Sequence, residues 1–182
     1  SRWSAPAGRH NGGVMQGQES QPSWLLGRFD RRTIVLGGIV IGLIIVALLG
    51  GFELSGPDGT VVDLTSKKLA ALLAFLARSA PQAHSRDKLM TLLWGSPFDV
   101  QARQNPRQAL TRLRRVLGED ALTSSGELVA LQPGVIACDV TRFEALLAAG
   151  SRDALGDAVS LYRGRFLADV AIPEEAWADW LR

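Results

Sequence analysis

The sequence has very few residues of the kinds that build cross-links and metal sites. Its 182 residues include one cysteine and two histidines. A lone cysteine excludes an internal disulfide, and Cys138 with His10 and His84 offers too few ligands, too far apart, for a tetrahedral zinc site. We predict that Cys138 is a small buried side chain and that His84 lies at the surface. The chain is expected to hold no metal.

Catalytic signatures are missing as well. Gly51 and Gly56 have the spacing of a phosphate-binding loop, but Pro57 follows where that loop needs a lysine. No Ser/His/Asp grouping can be inferred, because His84, the one histidine placed to act as a base, lies in a predicted loop between two helices. We therefore predict no catalytic residue, no cofactor and no enzymatic activity.

Acidic and basic residues are distributed unevenly along the chain, although the formal net charge is only +2. Residues 52–138 carry ten Lys and Arg against eight Asp and Glu, whereas residues 139–182 carry five against eight. The basic and acidic regions are therefore predicted to be different modules, one over 52–138 and a second that begins at 139.

The first part of the chain has no pattern typical of a folded domain. Residues 1–32 mix Gly, Ser, Gln, Pro and Arg, a composition typical of disorder. Residues 33–51 then form an uncharged hydrophobic segment that is long enough to cross a bilayer as a helix. Its end, with the residues to 54, also has the β-branched composition of first strands, and an export segment is a third interpretation. All three interpretations stay open.

The remainder alternates short strands with helices. Apolar spacing, caps and turn signals predict strands at 52–54 and 61–64, helices at 65–78, 86–94 and 106–117, and a hairpin of 121–123 with 128–131. Thr65 and Ser85 are the predicted caps of the first two helices. Strands, three helices and a hairpin predict an α+β winged helix-turn-helix.

The stretch from Asn105 to Gly118 carries the strongest functional signal. Asn105 can cap a helix and Pro106 suits its first position, because a proline there leaves no donor unpaired. One face is apolar: Ala109, Leu110, Leu113, Val116 and Leu117. The other face carries arginine, glutamine and threonine without an acidic residue, and these side chains pair with phosphates and purine edges. A helix that enters a DNA groove has this layout, and so does a helix whose basic face is simply solvated.

Four ordered segments together resemble a known family. They are LLGGFELSGPDGTVVDLTSKKLAALLAFLA, HSRDKLMTLLWG, RQALTRLRRVLG and LVALQPGVIACDVTRFEALL. From about Leu48 to Arg182 the chain resembles the SARP class of transcription activators, which carry an OmpR-type winged helix followed by a tetratricopeptide-like bacterial transcriptional activation domain. The resemblance implies that the winged helix is followed by an α-helical segment, with the opening helices of that domain at 139–149, 153–162 and 174–182. Residues 139–182 correspond only to the start of that domain, so the sequence is expected to be a truncated piece. Trp177 and Trp180 are then interpreted as packing for helices beyond the chain.

The resemblance implies roles for individual residues. The third helix would be the recognition helix, and its groove-facing residues would be Gln104, Arg107, Gln108, Thr111 and Arg115. Arg112 and Arg114 would reach phosphates. Ser124 and Ser125, with Gly126, would form the wing turn beside the minor groove or backbone. Lys67 and Lys68, at the start of the first helix, either touch phosphate or are simply solvated.

The sequence thus predicts a cytoplasmic, DNA-binding transcription regulator that binds directly repeated sites as a homo-oligomer. The acidic helical region would contact RNA polymerase or a partner protein. The alternative is an N-terminal interaction or sensory module of a larger signalling protein, anchored in a membrane through residues 33–52. A membrane span conflicts with DNA binding, since Arg31 and Arg32 would keep the N-terminus inside and place the winged helix outside the cell.

Overall fold

A computed structural model describes residues 34–36, 39–41, 43–95 and 104–182. The predicted disorder of residues 1–32 lies outside this range. In chain order the strands and helices are β1 Ile34–Leu36, β2 Ile39–Ile41, β3 Ile44–Ala47, β4 Glu53–Ser55, α1 Lys67–Ser79, β5 His84–Ser85, α2 Arg86–Trp94, α3 Gln104–Leu117, β6 Leu122–Ser125, β7 Leu128–Leu131, β8 Ile136–Cys138, α4 Asp139–Ala149, α5 Arg152–Leu161 and α6 Glu175–Trp180.

The hydrophobic segment contributes strands to the structure. β1 pairs with β2, and β3 is the central strand of a sheet in which it runs antiparallel to β4 and parallel to β8. Val46 and Leu48 have no exposed surface, because they pack into the same core as α1. Among the described residues no helix is both long and apolar enough to span a bilayer. The end of the segment therefore forms strands, as one of the three interpretations predicts.

The strand predicted for residues 61–64 is wrong. Only Val61 forms a bridge, with Ser55, and the Val62 N–H donates to the Leu54 carbonyl at 2.8 Å. Val61 is 69% exposed, so its side chain has little packing to hold the segment in a regular strand. The predicted turn just before it is present, since the Gly59 N–H donates to the Gly56 carbonyl.

The first two helices form the centre of the core. Residues 69–77 of α1 are all buried. The predicted cap Thr65 is wrong: Ser66 is the N-cap residue, and its carbonyl accepts from the N–H groups of Leu69 and Ala70. The predicted cap of α2 is confirmed, because the Ser85 hydroxyl accepts from the Lys88 N–H at 3.2 Å.

The third helix begins two residues earlier than its proline suggests. α3 starts at Gln104, so Asn105 belongs to the first helical turn and is not the N-cap residue. Pro106 also lies in that first turn, where backbone N–H groups have no intrahelical acceptor and a missing donor costs nothing. The proline therefore marks the beginning of the helix only to within two residues.

A three-stranded sheet of β5, β7 and β6 forms the wing. β6 is longer than predicted, since Ser124 pairs with Val129 and Ser125 with Leu128. The turn consequently consists of Gly126 and Glu127, and the φ of Gly126 is +58°, a left-handed conformation that glycine adopts without strain. The two serines are strand residues and do not form the wing turn.

The acidic C-terminal region packs directly on the winged helix. The Asp139 carboxylate accepts from the N–H groups of Leu48 and Leu49, each at 2.9 Å. Near the other end of the region, Lys68 and Glu174 form an ion pair with 2.5 Å between Nζ and Oε1. The region differs in charge from the winged helix, but it shares the core of the winged helix.

Two tryptophans of α6 complete this core. Trp177 is 1% exposed, and its indole N–H donates to the Val170 carbonyl at 3.2 Å. Its ring centroid lies 4.8 Å from that of Trp180, which in turn meets Phe75 of α1 edge-on at 5.3 Å. The interpretation that these tryptophans pack helices beyond the chain is wrong for Trp177, whose side chain is buried within it.

Cys138 and His84 are both buried, so the prediction for the cysteine is confirmed and that for the histidine is wrong. His84 is 4% exposed, with Nε2 2.7 Å from the Ser79 hydroxyl and its ring 4.7 Å from the Phe75 ring. The hydroxyl partner and the aromatic contact make burial of the imidazole tolerable. Burial lowers the pKa of His84, and the ammonium of Lys88 lowers it further.

Stability is expected to decrease when the pH falls below about 6.5, the ordinary pKa of a histidine. In the folded protein the lowered pKa keeps His84 neutral, so the unfolded chain takes up the proton first and gains stability from it. The loss begins near the unfolded pKa and grows until the pH passes the folded pKa. Urea unfolding at neutral pH and at about pH 5 measures it. His84→Gln should show a smaller pH dependence, and an equal one would assign the titration to other groups.

Candidate nucleic-acid interface

One face of α3 is exposed and basic. Arg107, Gln108, Thr111, Arg112 and Arg115 are all exposed. On the opposite face Ala109, Leu110, Leu113 and Leu117 are buried at 7% exposure or less. The exposed face owes its position to this apolar stripe, which holds the helix against α1 and α2. Val116, predicted on the apolar face, is 38% exposed and sits at its edge.

The charges of this face are available to a ligand. No ion pair between described residues involves an arginine of α3, and the helix contains no acidic residue. The Thr111 hydroxyl donates to the Arg107 carbonyl at 3.0 Å, which leaves its oxygen able to accept. Guanidinium and amide groups arranged this way match phosphates and purine edges. The side chain of Gln104, also predicted here, lies outside the described residues.

Arg114 has a different environment from its neighbours. It is half-buried, and its guanidinium donates to the hydroxyl of Ser124 in β6. The contact links α3 to the wing. Sequence reasoning assigned Arg114 to phosphate and missed this link, because no local pattern shows which strand a helix residue faces.

The wing presents mixed chemistry. Ser124 and Ser125 are exposed hydroxyls on β6, and Glu127 is exposed at the tip. The Glu127 carbonyl accepts from the Arg86 N–H at 2.8 Å, which ties the tip to the start of α2. A carboxylate repels phosphate, so the hydroxyls are the wing groups suited to a DNA backbone.

The two lysines at the start of α1 differ. Lys67 is exposed, whereas Lys68 is held by Glu174 across the boundary between the winged helix and the C-terminal region. The Glu174 carboxylate neutralises the charge of the Lys68 ammonium. Of the two, Lys67 keeps a charge that a phosphate can approach.

Within the part of the chain that the structure describes, no metal site competes for this surface. Among the described residues no group of three or more His, Cys, Asp or Glu is arranged to hold a metal ion. The arrangement is suited to binding a polyanion.

Comparison with known proteins identifies the domain that carries this surface. Residues 59–135 match the family described as "Transcriptional regulatory protein, C terminal". The chain is 30% identical over 130 residues to the transcriptional regulatory protein MoaR1 of Mycobacterium bovis and of Mycobacterium tuberculosis. The matched part is 68% of this chain and 42% of the MoaR1 proteins. The chain thus spans less than half the length of these relatives, which are transcriptional regulatory proteins.

A solved structure has a similar fold. It is that of Mycobacterium tuberculosis EmbR in complex with a low-affinity phosphopeptide, with a TM-score of 0.61 and 26% sequence identity. The similarity covers 70% of this chain and 38% of EmbR. The winged-helix architecture is therefore shared with a protein of related sequence.

Proposed function

We propose that this chain, whose residues 59–135 match the family described as "Transcriptional regulatory protein, C terminal", is a SARP-like regulator that binds double-stranded DNA through α3. The observation that carries the proposal is the exposed basic face of α3, which is free of acidic residues and backed by a buried apolar stripe. B-DNA admits a helix of this kind into its major groove. Such a regulator acts where the chromosome is, in the cytoplasm of a bacterium.

The exposed residues of α3 are assigned either to base edges or to phosphates, according to their position on the helix and their chemistry. Arg107, Gln108, Thr111 and Arg115 are assigned to base edges, because amide and guanidinium groups form paired hydrogen bonds with purines. Gln104 is assigned to the same groove from the sequence pattern alone. Arg112, at the flank of the face, is assigned to phosphate. These assignments come from the exposure of the side chains and from their positions around the helix.

The wing is proposed to rest on the DNA backbone. Ser124 and Ser125 supply hydroxyls, and Arg114 keeps the hairpin in a set position relative to α3. A fixed wing lets phosphate contacts set the register of the recognition helix on the duplex. Arg114 thus becomes a positioning residue, in place of the phosphate contact that the sequence implied.

The helices from 139 onward are proposed as the start of a tetratricopeptide-like activation domain that contacts RNA polymerase or a partner protein. α4 and α5 form a helical hairpin with their own small core of Leu146, Ala154 and Ala158. Leu147, Leu155 and Val159 remain exposed on these helices. Paired helices with apolar outer residues are typical of repeats that stack on a neighbour. Binding as a homo-oligomer to repeated sites completes the proposal.

DNA affinity is expected to fall steeply with salt. Each phosphate neutralised by an arginine releases counterions, and the slope of log K against log salt is about −0.9 per phosphate. Fluorescence anisotropy of this chain on a labelled promoter fragment, measured over a salt series, gives the slope. Arg112→Ala should make the slope shallower by the amount that one phosphate contact contributes. Arg152 is an exposed arginine of α5, and Arg152→Ala should leave the slope unchanged. A slope near zero would contradict DNA binding.

Base reading and positioning are expected to separate in single variants. Gln108→Ala should relax the preference at one base position and cost about 1–3 kcal/mol on the cognate site only. Arg114→Ala frees the wing, so it should weaken binding to cognate and scrambled sites alike. Competition assays on a set of single-base variants of the site measure both effects. The same uniform loss for Gln108→Ala would place Gln108 outside the groove.

A further inference from the structure

The wing ends in a carboxylate, which is an unfavourable group for a surface that approaches phosphates. Glu127 is exposed at the tip of the hairpin, directly after Gly126. No ion pair between described residues involves Glu127, so its charge is uncompensated within that part of the protein. A negative charge beside DNA weakens binding unless a hydrogen-bond donor of the DNA compensates for it. The tip therefore favours a DNA feature that offers a donor.

Backbone contacts hold this tip in place and leave the Glu127 side chain exposed. The Glu127 carbonyl accepts from the Arg86 N–H at 2.8 Å, and Ser125 pairs with Leu128 at the base of the turn. Around the position that a Cβ of Gly126 would occupy, no heavy atom other than those of its chain neighbours lies within 4 Å. The tip thus has no side chain at Gly126 and open space around it, so a second molecule can approach its backbone closely.

The place of the tip on DNA follows from the proposed function, on which this inference depends. With α3 in the major groove, the hydroxyls of Ser124 and Ser125 lie on the adjoining backbone strand. Gly126 and Glu127 come after these serines, at about 3.3 Å per residue, and so extend past that backbone strand. The minor groove lies there, and it is about 6 Å wide and about 7.5 Å deep. The carboxylate of Glu127 is therefore directed at the minor groove.

The minor groove offers one kind of hydrogen-bond donor. A·T and T·A pairs present only the acceptors adenine N3 and thymine O2, whereas a G·C pair adds the N2 amino group of guanine. A carboxylate accepts hydrogen bonds and does not donate them. It is repelled by A·T pairs, and most strongly by A-tracts, where the narrow groove has an enhanced negative potential. We propose that Glu127 is a specificity-determining residue, which selects a G·C pair under the wing tip by accepting a hydrogen bond from guanine N2.

Selection from a random pool of DNA duplexes identifies the base pair concerned. The wild-type chain and Glu127→Gln should select the same bases under α3, but only the wild type should select G·C at a position on the wing side. The amide of the variant both donates and accepts, so it should tolerate A·T there. Glu175→Gln is the matched control, because it removes one exposed carboxylate of α6, outside the winged helix, and should keep the wild-type preference.

Base analogues test the hydrogen bond itself. Inosine lacks the N2 amino group of guanine but has the same major-groove edge, so it removes only the minor-groove donor. Inosine in place of the selected guanine should weaken wild-type binding about tenfold, as expected for a hydrogen bond to a charged group, and should leave binding of Glu127→Gln unchanged. In a site with A·T at this position, 2,6-diaminopurine in place of adenine supplies the amino group and should restore wild-type affinity.

Two results would overturn the proposal. One is a wing-side G·C preference that is missing in the wild type or equally strong in Glu127→Gln, and the other is equal wild-type affinity for guanine and inosine. In both cases α3 can still select its own bases, and the proposed DNA-binding function then stands. If the wild-type chain selects no sequence at all, the proposed function fails, and the role of Glu127 fails with it.

Discussion

Replacing Trp177 by alanine is expected to lower the free energy of unfolding by about 3–5 kcal/mol. The side chain is 1% exposed, its N–H is paired with the Val170 carbonyl, and its ring stacks near Trp180 against the core of the winged helix. Removing it leaves a cavity, an unpaired carbonyl and a loosened α6. Urea unfolding followed by fluorescence and circular dichroism measures the change.

Tyr162→Ala is the matched control for Trp177→Ala. Tyr162 is also aromatic and belongs to the C-terminal region, but it is 57% exposed, so its loss should cost at most about 1 kcal/mol. If Trp177→Ala costs no more than this control, α6 is not part of the common core. If Trp177→Ala lowers the stability of the winged helix as well as that of the C-terminal region, in one shared transition, the two regions unfold as one unit.

Removing the three most exposed arginines of α3 is expected to abolish specific DNA binding. Each of Arg107, Arg112 and Arg115 is assigned a contact worth about 1–3 kcal/mol, so the triple alanine variant should bind at least about a hundredfold more weakly. The residual binding should depend less on salt, because fewer counterions are released. Anisotropy titrations on the same fragment at one salt concentration measure the loss.

The control removes the same number of charges from elsewhere. Arg152, Arg165 and Arg182 are exposed and lie in the C-terminal region. Their triple alanine variant has the same net charge as the α3 variant. Comparing the two therefore distinguishes the loss of DNA contacts by α3 from the effect of net charge on DNA affinity. Both variants should keep the melting temperature of the parent, since none of the six arginines is buried. Equal loss of DNA affinity in the two would place the interface outside α3.

Local signals were sufficient for several elements. α2 begins where Ser85 predicts, because a cap and an apolar period are properties of adjacent residues. The hairpin was predicted in place, with β7 at its observed bounds. Thr65 and Ser66 are neighbours and both are residue types that can cap a helix. Local chemistry therefore does not determine which of them is the N-cap residue, and this depends on how the chain enters the core.

The candidate interface was predictable in part for the same reason. The period of the leucines in α3 determined which side of the helix is buried, and so which arginines are exposed. Arg114 lies between the two faces, and its contact with Ser124 depends on how the wing folds back over the helix.

The sequence by itself determined the order of the three helices and the hairpin of the winged helix, and the basic face of α3, since these depend on the spacing of neighbouring side chains. Tertiary structure decided everything that depends on contacts between distant parts of the chain. Ile44 pairs with Ile136, which makes the end of the hydrophobic segment part of a sheet. Trp177 is buried because α6 returns to α1 and α2, and His84 is buried against Phe75 and Ser79 of α1. No local pattern encodes either contact. Burial is a property of the assembled core, so it could be known only once the elements were packed.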